Sequence, residues 1–431
     1  MKKEWIFYIG LAIFFFIWGN WILSFTSPDE GKNVSVVLHM LKTRDFLIPY
    51  YNCHLRLEKP PLLYWIIALF STVSGLNEFT ARLVSGISAI GIAFFTYLIA
   101  KEEISEETGK YAFLILLTFP HMWVEARAVV PEMLLTFFMT AGIYYFLKRN
   151  FILGWIMLAL AFLTKGPVGV ILPVTVFLVW KKELKIFNPA GIFLFIILGG
   201  SWYFYMFKVL GFFYFKKFFL YENIYRYLEK MKAHPYPFYY YIPVLLIASI
   251  FYVPVYYKIF KKLKEKNFPQ NALPFLYWFG IVFLFYSLAK NKLHHYLLFA
   301  YPPLAIIFAC FVNFEYIKKV MGICIVVLFI LLLEAVLIEQ DRFVKRVSPY
   351  LKSYIGPLYF YRYENSAIVF YAGRCIPVIK NPSKIKGGLV ITPAVYKDVF
   401  PFCKEVFKGK EFGKKLVLLK CISRGTQKGT L

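Results

Sequence analysis

The chain predicts a polytopic α-helical membrane protein that carries a small extracytoplasmic α/β domain at its C-terminal end. Of its 431 residues 60% are hydrophobic and 21% aromatic, while only 17% are charged. No soluble core of this length calls for so much apolar surface. The apolar residues gather in runs that cross ~30 Å of hydrocarbon at ~1.5 Å per helical residue. Beyond about residue 339 those runs stop, and short β-rich pieces at 367–371, 376–379, 389–392 and 416–421 alternate with Gly and Pro. The period-two alternation of a membrane barrel is absent.

Candidate spans fall at 5–25, 80–100, 111–121, 131–147, 152–164, 167–180, 190–208, 238–257, 272–288, 294–310 and 319–338. The expected total is 11 to 13, since several of these are short for a bilayer. The first run is too long for a cleaved signal and lacks a small-x-small site, so it reads as a retained span. With Lys2 and Lys3 inside, alternation places Lys101/Lys110, Lys148/Arg149, Lys181/Lys182/Lys185, the 258–266 cluster and Lys318/Lys319 on the cytoplasmic side. Residues 1–338 are then a transmembrane domain whose outer loops, 26–79 and 209–237, are the places to seek chemistry, and 339–431 is the outer α/β domain. Within the first loop, 29–41 and 60–73 read as helices lying at the interface.

The formal net charge of +26 sits in short breaks between apolar runs rather than on one basic domain. Membrane topology accounts for it, and nucleic acid is not an expected partner. Six cysteines show no metal-ribbon spacing. Cys310 and Cys324 lie in apolar surroundings and read as inert, whereas Cys375, Cys403 and Cys421 offer one disulfide if the tail is extracytoplasmic.

In a chain so poor in acids, the stretch SPDEGKN at 27–33 follows the first span directly. Ser27 and Glu30 suit a helix cap, and Asp29, at the interface, is a candidate proton acceptor. Glu58 and Lys59 precede Pro60-Pro61, which stiffen the chain and cannot lie inside a helix. An exposed ion pair contributes only ~0–1 kcal/mol. An oriented lysine beside apolar surface suits an anionic lipid head group better. Arg127 and Glu132 flank the outer mouth of a span, although an arginine there also snorkels. Arg226 and His234 share an aromatic, basic loop, and Lys165, Lys290, Lys292, His294 and His295 map outside, against the positive-inside bias. Glu58 with His234 also offers two donors for an open zinc site, the sharper alternative to structural roles for each.

The ordered blocks SPDE, RDFLIPYY, LEKPPLLYW, EARAVVPEMLL, TKGPVG, HPYPFYYYIPVLL and NKLHHYLLFAYPP resemble the bacterial 4-amino-4-deoxy-L-arabinose transferases of lipid A and the dolichyl-phosphate-mannose–protein mannosyltransferases. These are GT-C glycosyltransferases that draw sugars from polyprenyl phosphates such as undecaprenyl phosphate. The resemblance runs from Ser27 to about Pro303 and, more loosely, into the tail. It implies that Asp29 is the catalytic carboxylate, that Lys59 meets the lipid phosphate, and that Glu58 shares a divalent metal with His234. Glu132 falls where the family usually has Asp, which keeps the charge of a catalytic position on a longer arm. Lys165 and Lys292 match basic positions near the phosphate, with Arg127 and Arg226 as further candidates.

The expected function is transfer of a sugar, with inversion, from a polyprenyl-phosphate donor to lipid A or a related lipopolysaccharide. The enzyme is expected to be a monomer in the bacterial inner membrane with a periplasmic site. A protein O-mannosyltransferase is the nearest alternative. A lipid flippase fits less well, because the acids cluster at outer interfaces and the spans carry almost none. No phosphate-binding glycine loop for a nucleotide donor is present.

Overall fold

The computed structural model describes residues 2–229 and 234–422. Residues 230–233 of the expected second outer loop and 423–431 of the expected tail lie outside the described residues. The chain forms two compact units, one of Met1–Trp18, Leu57–Leu69 and Arg82–Leu328, the other of Gly19–Arg56, Phe70–Ala81 and Phe329–Leu431.

Helices dominate the first unit. Among the described residues four helices are long and apolar enough to cross a membrane: Glu78–Glu103, Pro189–Leu210, Gln270–Leu288 and Phe314–Asp341. Two bent pairs, Pro120–Ala126 with Pro131–Leu147 and Phe238–Ala248 with Ile250–Lys264, raise that number to 6 if each is one span. The remaining apolar helices of 10–17 residues are Leu62–Ser74, Phe151–Lys165, Val168–Lys181 and His294–Ala309. The expected first span at 5–25 is shorter than anticipated. Its helix, Lys2–Phe16, stops before Gly19, whose φ of 85° lies in the left-handed region.

Where helices pack closely, small residues allow it. A Cβ on Gly169 would come within 2.8 Å of the Ala161 backbone, and one on Gly199 within 3.2 Å of the Ala159 Cα. Such contacts let neighbouring apolar helices approach through their backbones, the mode available where lipid removes the hydrophobic drive. The bend between Pro120–Ala126 and Pro131–Leu147 measures 112° and has a local cause. Pro131 opens the second helix, and Val130 before it is extended at φ −133° and ψ 151°, as a residue preceding proline prefers.

In the second unit, Ser27 caps the helix Pro28–Thr43 through a capping box completed by Glu30. The buried Glu30 carboxylate accepts from the Thr26 N–H and hydroxyl, each at 2.8 Å. A five-stranded sheet runs in the order 378–379, 358–361, 388–393, 414–421, 403–411, parallel across its first three strands and antiparallel across the rest. Its parallel pair 358–361 and 378–379 is joined through the helix Ser366–Ala372. That helix corrects the β reading of 367–371. Asn365 caps it by accepting from the Ile368 N–H, Gly373 ends it at φ 66°, and five apolar residues by themselves do not distinguish helix from strand. It lies against Pro28–Thr43, with the Ser366 hydroxyl donating to the Pro28 carbonyl at 2.8 Å.

Two disulfides close this unit. Cys403–Cys421 joins residues opposite one another on neighbouring strands, and Cys375 pairs with Cys53, a partner outside the three cysteines considered from sequence. Arg342 forms the buried polar centre. Its guanidinium meets Glu411 and Glu339 and donates to the carbonyls of Ser24 at 2.7 Å and Phe25 at 2.9 Å. Breaking a buried pair on one side leaves unmatched charge, at a cost of about 3–5 kcal/mol. Arg342→Met should therefore lower the thermal midpoint of the detergent-solubilised protein clearly. Arg346→Met, which removes an exposed pair with Asp341, should leave it nearly unchanged; equal midpoints for the two variants would refute the assignment.

Candidate active site

The first unit gathers a line of ionisable side chains around the bend at 126–131. Glu125 ends one arm and Glu132 lies in the first turn of the other, and both are almost fully buried, at 2% and 3% exposure. A buried carboxylate needs cations and hydrogen bonds to offset its lost hydration. For Glu132 they converge on one oxygen, Oε1, which accepts from Lys165 Nζ at 2.7 Å and lies 3.4 Å from His295 Nε2 and 4.0 Å from Lys59 Nζ.

Each of these partners comes from a different element. Lys165 ends the helix Phe151–Lys165, where a cation also suits the helix dipole, and its ammonium lies 4.1 Å from the Tyr296 ring centroid. Lys59 is held by Pro60 and Pro61, the latter just before the helix Leu62–Ser74. His295 belongs to the 3₁₀ segment His294–Ala300. At 4.0 Å Lys59 feels the Glu132 charge without a hydrogen bond. Its donors are thus oriented by the carboxylate without being spent on it. Two ammonium groups sharing one carboxylate leave an excess of positive charge, the condition for holding a phosphate.

His295 links the two acids, its Nδ1 standing 4.0 Å from Glu125 Oε1. Around Glu125, His121 Nε2 approaches to 3.4 Å and His294 Nδ1 to 3.3 Å. Glu125 and His121 were not candidates from sequence; their signal was the spacing of four in HMWVE, which puts both on one helical face.

The other expected residues are placed as follows. Arg127 caps helix ends: its guanidinium donates to the carbonyls of Phe15 at 2.8 Å, Trp123 at 3.0 Å and Trp18 at 2.6 Å. That is a structural use of a side chain expected at the phosphate. Lys292 also differs from expectation. It is buried, and its ammonium donates to the carbonyls of Ala289 and of Tyr236, the latter at 3.2 Å. Burial, then the nearby Lys290 charge, lowers its pKa from the ordinary lysine value. Its backbone N–H binds the His234 carbonyl at 3.2 Å, and Asn291 donates to the carbonyls of Arg226 and Glu229, each at 2.5 Å. The 290–292 segment thus stitches down the loop that carries Arg226 and His234. Arg226 pairs with Glu222 at 3.2 Å, and His234 is half-buried with its ring 6.4 Å from that of Tyr236. Glu58 is exposed.

Asp29 belongs to the second unit, in the first turn of Pro28–Thr43. Glu30 takes the capping role, while Asp29 keeps a carboxylate 45% exposed and 3.8 Å from Arg56 Nη2. Arg56 stands two residues before Glu58 in the chain.

Related proteins place the chain more closely. The sequence pattern of the dolichyl-phosphate-mannose-protein mannosyltransferase family matches residues 58–212, beginning at the Glu-Lys pair. An uncharacterized protein of Aquifex aeolicus is 48% identical over 425 residues, which is 97% of this chain and 100% of that protein. The undecaprenyl phosphate-alpha-4-amino-4-deoxy-L-arabinose arabinosyl transferase of Pectobacterium carotovorum is 28% identical over 318 residues, 68% of this chain and 56% of the relative. The chain therefore matches little more than half the length of that relative. The crystal structure of ArnT from Cupriavidus metallidurans bound to undecaprenyl phosphate superposes with a TM-score of 0.78 at 17% identity, covering 97% of this chain and 98% of the other.

The fold and the relatives together define a multi-pass membrane glycosyltransferase. The chain belongs to the GT-C glycosyltransferase family, whose members use polyprenyl-phosphate sugars.

The shared carboxylate makes a quantitative demand on its partners. Glu132→Gln should destabilise the protein by about 3 kcal/mol or more, since it strips two neighbouring ammonium groups of their counter-charge. Combining it with Lys165→Met should cost less than the sum of the two single changes. Thermal unfolding of the four proteins gives the coupling, and strict additivity would separate Glu132 from Lys165.

Proposed function

We propose that the enzyme transfers a sugar of the 4-amino-4-deoxy-L-arabinose type from undecaprenyl phosphate to lipid A or a related lipopolysaccharide, on the periplasmic face of the bacterial inner membrane. The observation that carries this reading is the delivery of Lys59, by the Glu-Lys-Pro-Pro block, to a buried carboxylate already paired with Lys165. The arabinosyl transferase relatives support the choice of donor and acceptor.

The reaction needs a nucleophile at the anomeric carbon and a stabilised leaving group. The acceptor oxygen attacks that carbon from the face opposite the phosphate, so the configuration inverts. The bond between the anomeric carbon and the phosphate oxygen breaks, and its electron pair leaves with the polyprenyl phosphate. Lys59 and Lys165 stabilise the charge gathering on that phosphate, with Arg226 as a further cation. Glu132 holds the two lysines in place, a positioning role for a side chain first expected to be catalytic.

Asp29 is the proposed catalytic carboxylate. With a hydroxyl acceptor it takes the proton as the new bond forms; with an ionised phosphate acceptor it stabilises positive charge on the sugar ring. Glu58 and His234 are proposed to hold a divalent metal, which would supply Lewis-acid charge when bound.

Asp29→Asn should abolish transfer while leaving donor binding largely intact, and retained transfer would remove Asp29 from the reaction. Lys59→Ala should raise the Michaelis constant for the lipid donor at least tenfold; an unchanged constant would sink the phosphate role. Mass spectrometry of lipid A from cells with and without the protein tests donor and acceptor together. Loss of a pentosamine supports the proposal, whereas unchanged lipid A alongside lost protein O-glycosylation would assign it to protein mannosyl transfer.

A further inference from the structure

We infer that His121, Glu125 and His294 form a binding site for one divalent cation of the zinc class, distinct from the Glu58 and His234 pair. His121 Nε2, His294 Nδ1 and Glu125 Oε1 converge within 4.8 Å of one another. The two histidine-to-carboxylate separations are 3.4 and 3.3 Å, and the two imidazole nitrogens stand 2.8 Å apart. Donors about 2.0–2.1 Å from zinc at tetrahedral angles lie about 3.3 Å from each other, so both carboxylate separations already have the length of a coordination edge. Two imidazoles and one carboxylate, with a fourth position open, are a donor set that zinc takes.

Two independent features point to a ligand there. Glu125 is buried, yet its second oxygen, Oε2, has no hydrogen-bond partner among the described residues. A desolvated carboxylate oxygen left in that state is costly, and a cation on the carboxylate relieves it. His121 also has an outer partner, since its Nδ1 lies 2.5 Å from the Tyr301 hydroxyl oxygen. With Nδ1–H donating to that oxygen, the Nε2 lone pair points at the cluster. A second hydrogen bond of this kind is how metal-bound histidines are usually oriented.

The helix bend holds the first two donors, since His121 and Glu125 are four apart on the short arm Pro120–Ala126. His294 closes the set from the start of its 3₁₀ segment and is half exposed, which gives a cation a way in from solvent. Through His295, which stands between Glu125 and Glu132, a cation there adds positive charge at the end of the lysine cluster.

The test is metal content, which does not depend on the sugar or acceptor. The full chain is purified in detergent, treated with chelator, equilibrated with Zn²⁺ and freed of excess, and its zinc is counted by elemental mass spectrometry. His294→Ala, at an exposed position that leaves the fold intact, and Glu125→Gln should each bind one equivalent less than wild type. The Glu58→Ala/His234→Ala double variant should retain that equivalent. Loading with Co²⁺ should give visible absorption bands of a tetrahedral site, present in wild type and in the double variant but lost in His294→Ala. Equal zinc in wild type and His294→Ala, or none in wild type, would overturn the site and leave a proton shared among the three side chains. A loss confined to the double variant would return the metal to Glu58 and His234.

Discussion

The first unit depends on the desolvation of one carboxylate. Glu132 cannot be buried as an anion unless cations and other polar groups reach it, and this single requirement brings together three chain segments remote in sequence: the proline-braced turn bearing the Lys59 ammonium, the helix end bearing the Lys165 ammonium, and the 3₁₀ start bearing the His295 imidazole. The same constraint makes the cluster useful. An acid that is outnumbered by the bases around it leaves positive charge directed at whatever anion enters.

The bend after Ala126 is what allows two acids seven residues apart to serve different neighbours. In one continuous helix Glu125 and Glu132 would stand two turns apart on one face, about 10 Å along the axis. With the chain turned by 112°, both come within 4.0 Å of His295. Proline makes the turn possible by opening the second helix and extending the residue before it. Arg127 then donates to the Trp123 carbonyl beside that break, and to the carbonyls of Phe15 and Trp18 around the end of the first helix.

Much of this could be read before any coordinates. The Glu-Lys-Pro-Pro block stood out because a costly pair of charges is placed where stability alone does not require it, and the positive-inside bias marked Lys165 and the 290–295 stretch as exceptions. Other readings missed for definite reasons. Lys292, expected near the phosphate, ties a loop through backbone carbonyls, and a lysine in that use has the same sequence signature as one that holds a phosphate. Residues 367–371 read as a strand in the sequence because a five-residue apolar run carries no usable period; only the Asn365 cap and Gly373 end identify the helix Ser366–Ala372, and both depend on side-chain and backbone geometry.

Residue types and their spacing by themselves determined a helical membrane architecture and the loops that hold its charges, because hydrophobic length and the distribution of charge are local properties of the chain; the glycosyltransferase class came from the resemblance of the ordered blocks to a known family. Tertiary structure decided the partners. It joined Cys53 to Cys375 across 322 residues, assigned Lys59 and Lys165 to one buried oxygen, and set His294 beside His121 and Glu125. Which charges meet depends on bends and turns accumulated along hundreds of residues, and burial raises the cost of every charge that fails to find its counterpart.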